Sequence, residues 1–220
     1  MIYRVKRFVN TDQNAPVWDL PPWQDVPAAR LCHAMGTRPA HFPSTDVKMA
    51  YDRKAVSLLF RVEDRYVRAV ATSHQQSVCR DSCVEFFFSP GPDSQSGYFN
   101  LEINCGGTLL FHFHPHSRRD EHIELPTALC NRIQCHPSLP RIVEPEITEP
   151  VTWTIGCRIP LAPLAEWLQT MPAPGETWRG NFYKCADATS HPHWLSWAPV
   201  EAPRPDFHLP RFFGTLLFMP

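Results

Sequence analysis

Three consecutive segments share one alternating phase: CVEFFFSP at 83–90, YFNLEINC at 98–105 and TLLFHFH at 108–114. Side chains along a strand point to opposite faces with a period of two. Val84, Phe86, Phe88, Phe99, Leu101, Ile103, Leu109, Phe111 and Phe113 therefore share one face, which is predicted to form a dry core. The other face carries Cys83, Glu85, Phe87, Tyr98, Asn100, Glu102, Asn104, Leu110, His112 and His114. A packed sheet is the arrangement that suits this pattern, and it directs the two lone acids, Glu85 and Glu102, away from the core.

Richness in β-branched and aromatic residues, bounded by Gly, Pro, Asp or Asn, marks VSLLFRVED (56–64), VTWTIGCRIP (151–160), TWRGNFYKCAD (177–187) and FFGTLLF (212–218) as further strands. Only PLAPLAEWLQT (160–170) has helical spacing, and it is short. The class is all-β, an antiparallel two-sheet β-sandwich with one short helix, and residues 1–220 fit a single domain. Proline, at 24 of 220 residues, is about twice its usual share of roughly 5% and favours short strands joined by rigid loops. The stretch Asn10–Thr45 reads as an ordered wrapping loop, with Trp18 and Trp23 packing over a sheet edge.

With 21 basic and 22 acidic side chains the chain has no net field to draw in nucleic acid or an anionic membrane. No run of about 18 apolar residues suggests a membrane span. The opening MIYRVKRFVN lacks a signal-type apolar core, so the chain as written is expected in the cytoplasm. Eight cysteines are too few for a disulfide scaffold and are expected mostly as reduced, packed thiols.

A hairpin closed by GPDSQS (91–96) places Glu85 roughly opposite Glu102. Like charges opposed across strands are destabilising, so compensation is expected from Arg61, a bound cation, a shared proton or a hydroxyl-rich ligand. Clustered Tyr, Asn, Glu and His, without lysine, favour a ligand face over a merely solvated one. Opposed carboxylates about 5 Å apart also suit a retaining glycosidase. His112 and His114 share a strand face and are the candidate metal ligands, with His116 or His122 nearby.

The succession LLFRVEDRYVRA, RDSCVEFFFSP, YFNLEINCGGTLL, WRGNFYKCAD, HWLSWAP and PDFHLPRFFGTLLF resembles the family 9 carbohydrate-binding modules and the DOMON-like β-sandwich group. The likeness runs from about Pro16 to Phe218, and its most specific parts are Asp-Ser-x-Val-Glu at 81–85 and the closing Phe-Gly. It implies a non-catalytic domain that binds a saccharide, often alongside a glycoside hydrolase in polysaccharide breakdown, with bound calcium and an extracellular setting. Glu85 matches the glutamate that bonds sugar hydroxyls, Glu102 lies close to a second polar contact, and Trp197 or Trp194 matches a stacking tryptophan. With the polar face, the candidate binding set is Glu85, Glu102, Asn100, Asn104, Arg61, Trp194 and Trp197. Where the family's other stacking tryptophan precedes Asp-Ser-x-Val-Glu, this chain has Cys79, so half of the aromatic clamp is expected to be missing. Trp153, Trp167 and Trp178 fit core positions. Some members of the wider group bind haem through His or Met, and Met49 with the histidine cluster keeps that alternative open.

Overall fold

The computed structural model describes residues 1–8, 15–117 and 120–220, so Asn10–Asn14 of the expected wrapping loop lie outside the described residues. The first strands are β1 (Ile2–Arg7), β2 (Ala28–Arg30), β3 (His33–Ala34), β4 (Ser44–Tyr51), β5 (Ala55–Asp64) and β6 (Val67–Ala69). A meander follows: β7 (Cys83–Ser89), β8 (Tyr98–Asn104), β9 (Leu109–His114) and β10 (Ile123–Glu124). The last strands are β11 (Gln134–Pro137), β12 (Val143–Ile147), β13 (Val151–Pro160), β14 (Thr177–Cys185), β15 (Trp194–Ser196) and β16 (Gly214–Phe218).

One face of the sandwich runs β10-β9-β8-β7-β14-β16-β1 and the other runs β1-β4-β5-β13-β11. β1 belongs to both. Its residues Ile2–Val5 pair with 215–218 of β16, while Lys6 and Arg7 pair with Ala50 and Tyr51 of β4. Both pairings are parallel, which the expected antiparallel arrangement did not include; the other ladders among the described residues are antiparallel.

All nine apolar residues predicted from the alternation lie in the inter-sheet core. The facing sheet contributes Val47, Met49, Leu58, Phe60, Trp153 and Ile155 in the same period-two manner. Phe86 stacks on Phe88 and Phe182, with centroids 4.6 and 5.3 Å apart. Trp153 and Trp178 are fully buried, and Trp167 packs against the core as a half-buried neighbour. Trp18 and Trp23 join Phe8, Val26, Ala50 and Leu59 on the outer face of β4 and β5, not at a sheet edge.

The expected helix at 160–170 is absent. Only a 3-10 turn forms there, at Ala162–Leu164. Pro163 removes a backbone donor inside the first turn, and Pro172 and Pro174 close the segment before a second turn is established. Among the described residues the α-helical turn is instead Thr127–Cys130.

The two sheets are also tied by charge. Lys184 on β14 is completely buried and lies 3.5 Å from Asp64 of β5, itself buried. The Lys184 ammonium meets His193 Nε2 at 2.7 Å and donates to the Cys185 carbonyl at 3.0 Å. Asp64 also meets His41 Nε2 at 2.7 Å and accepts from the Trp153 indole at 3.3 Å. Burial alone would raise the Asp64 pKa, but Lys184 and His41 override it and hold the carboxyl well below the ordinary range. His193 is pushed down to about 3, first by burial and then by Lys184, and is therefore neutral.

A depressed acid stabilises the fold above its unfolded pKa of about 3.9, and that contribution is lost as pH falls through the folded value. Lys184→Met strands the Asp64 charge and is expected to cost about 3–5 kcal/mol, with Asp64→Asn in the same chain recovering part of it. Urea midpoints measure both. Wild-type stability in Lys184→Met would remove the pair from any structural role.

Candidate functional site

The β7–β8 register sets Glu85 directly opposite Glu102, as the hairpin predicts. On the other side of β7, Tyr183 of β14 is the partner of Glu85, and Cys185 is the partner of Cys83. Both acids point away from the inter-sheet core. They do not reach solvent, however: Glu85 is 2% exposed and Glu102 7% exposed. Segments bearing Ala71, Val78, Phe207 and Phe213 fold over this face and pack with Phe87, Tyr98 and Tyr183 as a second apolar cluster. The outer face is thus a covered layer, and the pair is buried rather than surface-exposed.

A pocket of about 130 Å³ remains in that layer, lined by residues that include Cys79, Glu85, Glu102, Cys185, Asp187, Trp194, Phe207 and His208. Asn100 Nδ2 donates to Glu102 Oε1 at 3.0 Å, and Cys185 Sγ donates to Glu85 Oε1 at 3.0 Å. The second oxygens, Glu85 Oε2 and Glu102 Oε2, are buried without a hydrogen-bond partner. Burial first, and then Glu102, hold the Glu85 pKa well above its ordinary value. Glu102 is raised to about 7, chiefly by burial, against the opposing Asn100 bond. Asp187 is also raised by burial, although the Trp194 indole donates to its Oδ1 at 2.8 Å. Two opposed buried carboxyls thus favour retaining protons where isolated ones would ionise.

The remaining candidates separate. Asn100 joins the pair, and its Oδ1 lies 3.0 Å from His114 Nε2, which donates to it. Asn104 bonds Asp81 Oδ2 at 2.8 Å, and its Oδ1 accepts from Gly106 and Thr108, so it shapes the β8–β9 turn. Asp81 also accepts from the Ala71 amide, and Ser82 Oγ from Arg68, so the first two residues of Asp-Ser-x-Val-Glu hold the cover while its glutamate faces the pocket. Arg61 lies on β5 in the other sheet, 3.6 Å from Glu63, and does not compensate the acids. Its alternation marked it as polar but could not say which sheet it served. Trp194 lines the pocket, whereas Trp197 is buried in the inter-sheet core near Tyr3 and Phe182.

His112 and His114 do not converge on a metal position. His112 stacks on His122 at 4.6 Å, and His114 stacks on Tyr98 at 4.6 Å. Burial, then His122 and His114, push the His112 pKa down to about 4. Met49 is wholly buried in the inter-sheet core, so it does not join them as a haem ligand. No group of three carboxylates converges among the described residues. The convergent donor group there is Cys83, Glu85 and Cys185. The sequence reading missed Cys185, Asp187 and His208 because they reach the pocket from β14 and the 205–208 loop, far from the hairpin. The alternation of NFYKCAD, which puts Tyr183 and Cys185 on one face, was the available signal.

A family model described as carbohydrate-binding family 9 matches residues 31–218. A protein of Arthroderma benhamiae named "Extracellular protein" is 23% identical over 189 residues, covering 81% of this chain and 80% of its own length. A crystal structure from Bacteroides uniformis, described as a candidate carbohydrate-binding protein, is 30% identical and superposes with a TM-score of 0.87 over 99% of this chain and 98% of its own. Two structures of a family 9 module from Caldicellulosiruptor kristjanssonii share the fold. The glucose complex is 12% identical with a TM-score of 0.66, covering 99% of this chain and 95% of its own. The cellotriose complex is 13% identical with a TM-score of 0.67, covering 100% and 94%. No helix among the described residues is long and apolar enough to cross a membrane.

Raised carboxyls make the folded chain hold protons that the unfolded chain releases near the ordinary glutamate pKa of about 4.3. The stabilisation from this protonation is full below that value and is lost as pH rises through about 7 for Glu102. Glu102→Gln is expected to flatten the decline and to raise stability by about 1–2 kcal/mol well above neutrality. Thermal melts from acid to alkaline pH measure it, and a variant clearly weaker than wild type at alkaline pH contradicts the like-charge account.

Proposed function

The chain belongs to carbohydrate-binding family 9, and from that premise we propose that its pocket over β7 and β8 holds a terminal sugar unit. The observation that carries the reading is the pair of opposed acids, each with one buried oxygen that no protein donor satisfies. A sugar ring presents hydroxyl donors on its rim and an apolar C–H face, so it can satisfy both oxygens while lying against an indole. Trp194 is the indole that lines this pocket, and its own N–H is fixed by Asp187. Asn100 and His114 lock the Glu102 carboxylate from behind, which reduces the ordering cost of binding.

Lining by Cys79, Glu85, Asp187, Trp194 and His208 encloses a ligand from several directions, which suits a chain end or a single unit. Cys79 lines the pocket where the family pattern has a second stacking tryptophan, so the ring is gripped by aromatic stacking from Trp194 and by hydrogen bonds rather than by two indoles. The relatives bound to glucose and cellotriose make these the first ligands to try. The role is recognition without bond cleavage, in support of a glycoside hydrolase acting on the same polysaccharide.

Isothermal calorimetry with glucose and cellotriose tests the proposal. Losing a hydrogen bond and leaving its buried partner unsatisfied costs about 1–3 kcal/mol, so Glu85→Gln is expected to weaken binding roughly ten- to hundredfold. Trp194→Ala should weaken it about tenfold through lost stacking. Wild-type affinity in both variants, or glycoside turnover that Glu85→Gln abolishes, would overturn the reading.

A further inference from the structure

Two thiols and a carboxyl meet beside this pocket, with Glu85 and Cys185 in its lining and Cys83 behind them. Ligand atoms of Cys83, Glu85 and Cys185 all lie within 4.8 Å of one another, and all three residues are buried. Strand register brings them together: Cys83 pairs with Cys185, and Glu85 stands two residues along on the same face of β7. Packing accounts for buried thiols on their own. It does not account for a carboxylate pair set beside them with two buried oxygens left unpartnered. The charges nearby repeat the sign, since Asp187 lines the same wall. Lys184, adjacent in sequence to Cys185, directs its ammonium to Asp64, His193 and the Cys185 carbonyl.

From this we infer that Cys83, Glu85 and Cys185 form a binding site for a thiophilic divalent cation of the zinc type, with a fourth position facing the pocket. Binding displaces one proton from each thiol and one from the Glu85 carboxyl, so the dication neutralises two of the three anionic ligands and leaves a single net negative charge at the site. Zinc–sulfur bonds of about 2.3 Å in a tetrahedron place ligand atoms roughly 3.8 Å apart, a contraction of about 1 Å or less from the spacing here. Thiolate donors select zinc-like ions over calcium or magnesium. A cation beside Glu85 also offsets its opposition to Glu102. Cys79, the residue that replaces the family's stacking tryptophan, adds a third thiol to the same pocket wall.

The whole chain, reduced and with eight free thiols confirmed, is titrated with Co²⁺ in the absence of sugar. The expected result is one equivalent bound, with sulfur-to-cobalt charge-transfer absorption and tetrahedral d–d bands that Zn²⁺ displaces. Cys83→Ser and Cys185→Ser should each weaken binding more than tenfold, Glu85→Gln about tenfold, and Cys32→Ser, at an exposed thiol, should change nothing. Because serine variants at buried positions can fail to fold, zinc-edge X-ray absorption on the loaded wild type gives a reading without mutation, with mixed sulfur and oxygen ligation expected. Absence of the charge-transfer band, its survival in the Cys83→Ser/Cys185→Ser chain, or purely oxygen and nitrogen ligation overturns the proposal. Saccharide affinity measured in chelator is a separate readout, so failure of the metal site leaves the sugar reading standing, and the reverse.

Discussion

A lysine ammonium with no exposure, held between an aspartate on the opposite sheet and a neutral histidine, fixes where β14 sits. β14 is the strand on which the pocket sheet turns, pairing with β7 on one side and with β16 and β15 on the other. Once Lys184 points inward to Asp64, strand alternation obliges Tyr183 and Cys185 to point outward, beside Glu85. The buried pair does little for net stability compared with an apolar substitute. What it does is make any other register leave a charge stranded in the core, so the geometry of the pocket follows from the placement of that charge.

The dry face of the meander was legible because all nine of its positions in β7, β8 and β9 are apolar in one phase, although Phe87 and Leu110 are apolar on the other, and a one-residue slip would have turned Phe86, Leu101 and Phe111 out of the core. The opposition of Glu85 and Glu102 followed from the same register. Burial of that opposition was not legible, because the cover arrives from segments near residues 71–82 and 194–213 that no local pattern links to the hairpin. Trp194 and Trp197 show the limit well. They are three residues apart in one loop-like stretch, yet one lines the pocket and the other enters the core, where its ring fills the space that a Cβ at Gly214 would need. Composition gives both the same description.

The pocket differs from a simple polar groove in how its hydrogen-bond capacity is distributed. Each acid has one oxygen committed inward, to Asn100 or to the Cys185 thiol, and one uncommitted. That division keeps the carboxyl groups oriented while leaving each with unused hydrogen-bond capacity. It also explains why the Asp-Ser-x-Val-Glu stretch holds together as a motif: Asp81 and Ser82 fasten the cover to the strand, and Glu85 uses the space the cover encloses.

The seam formed by β1 has a mechanical consequence. Because β1 and β16 run parallel, tension applied at the start of one and the end of the other acts along the strands and slides them past each other. The hydrogen bonds between Ile2–Val5 and the 215–218 segment are then loaded together in shear, instead of being unzipped singly as at the open end of a hairpin. Forced unfolding is governed by the rate of crossing its barrier rather than by equilibrium stability. A domain with this seam resists pulling between those two strands more strongly than its thermal stability alone conveys.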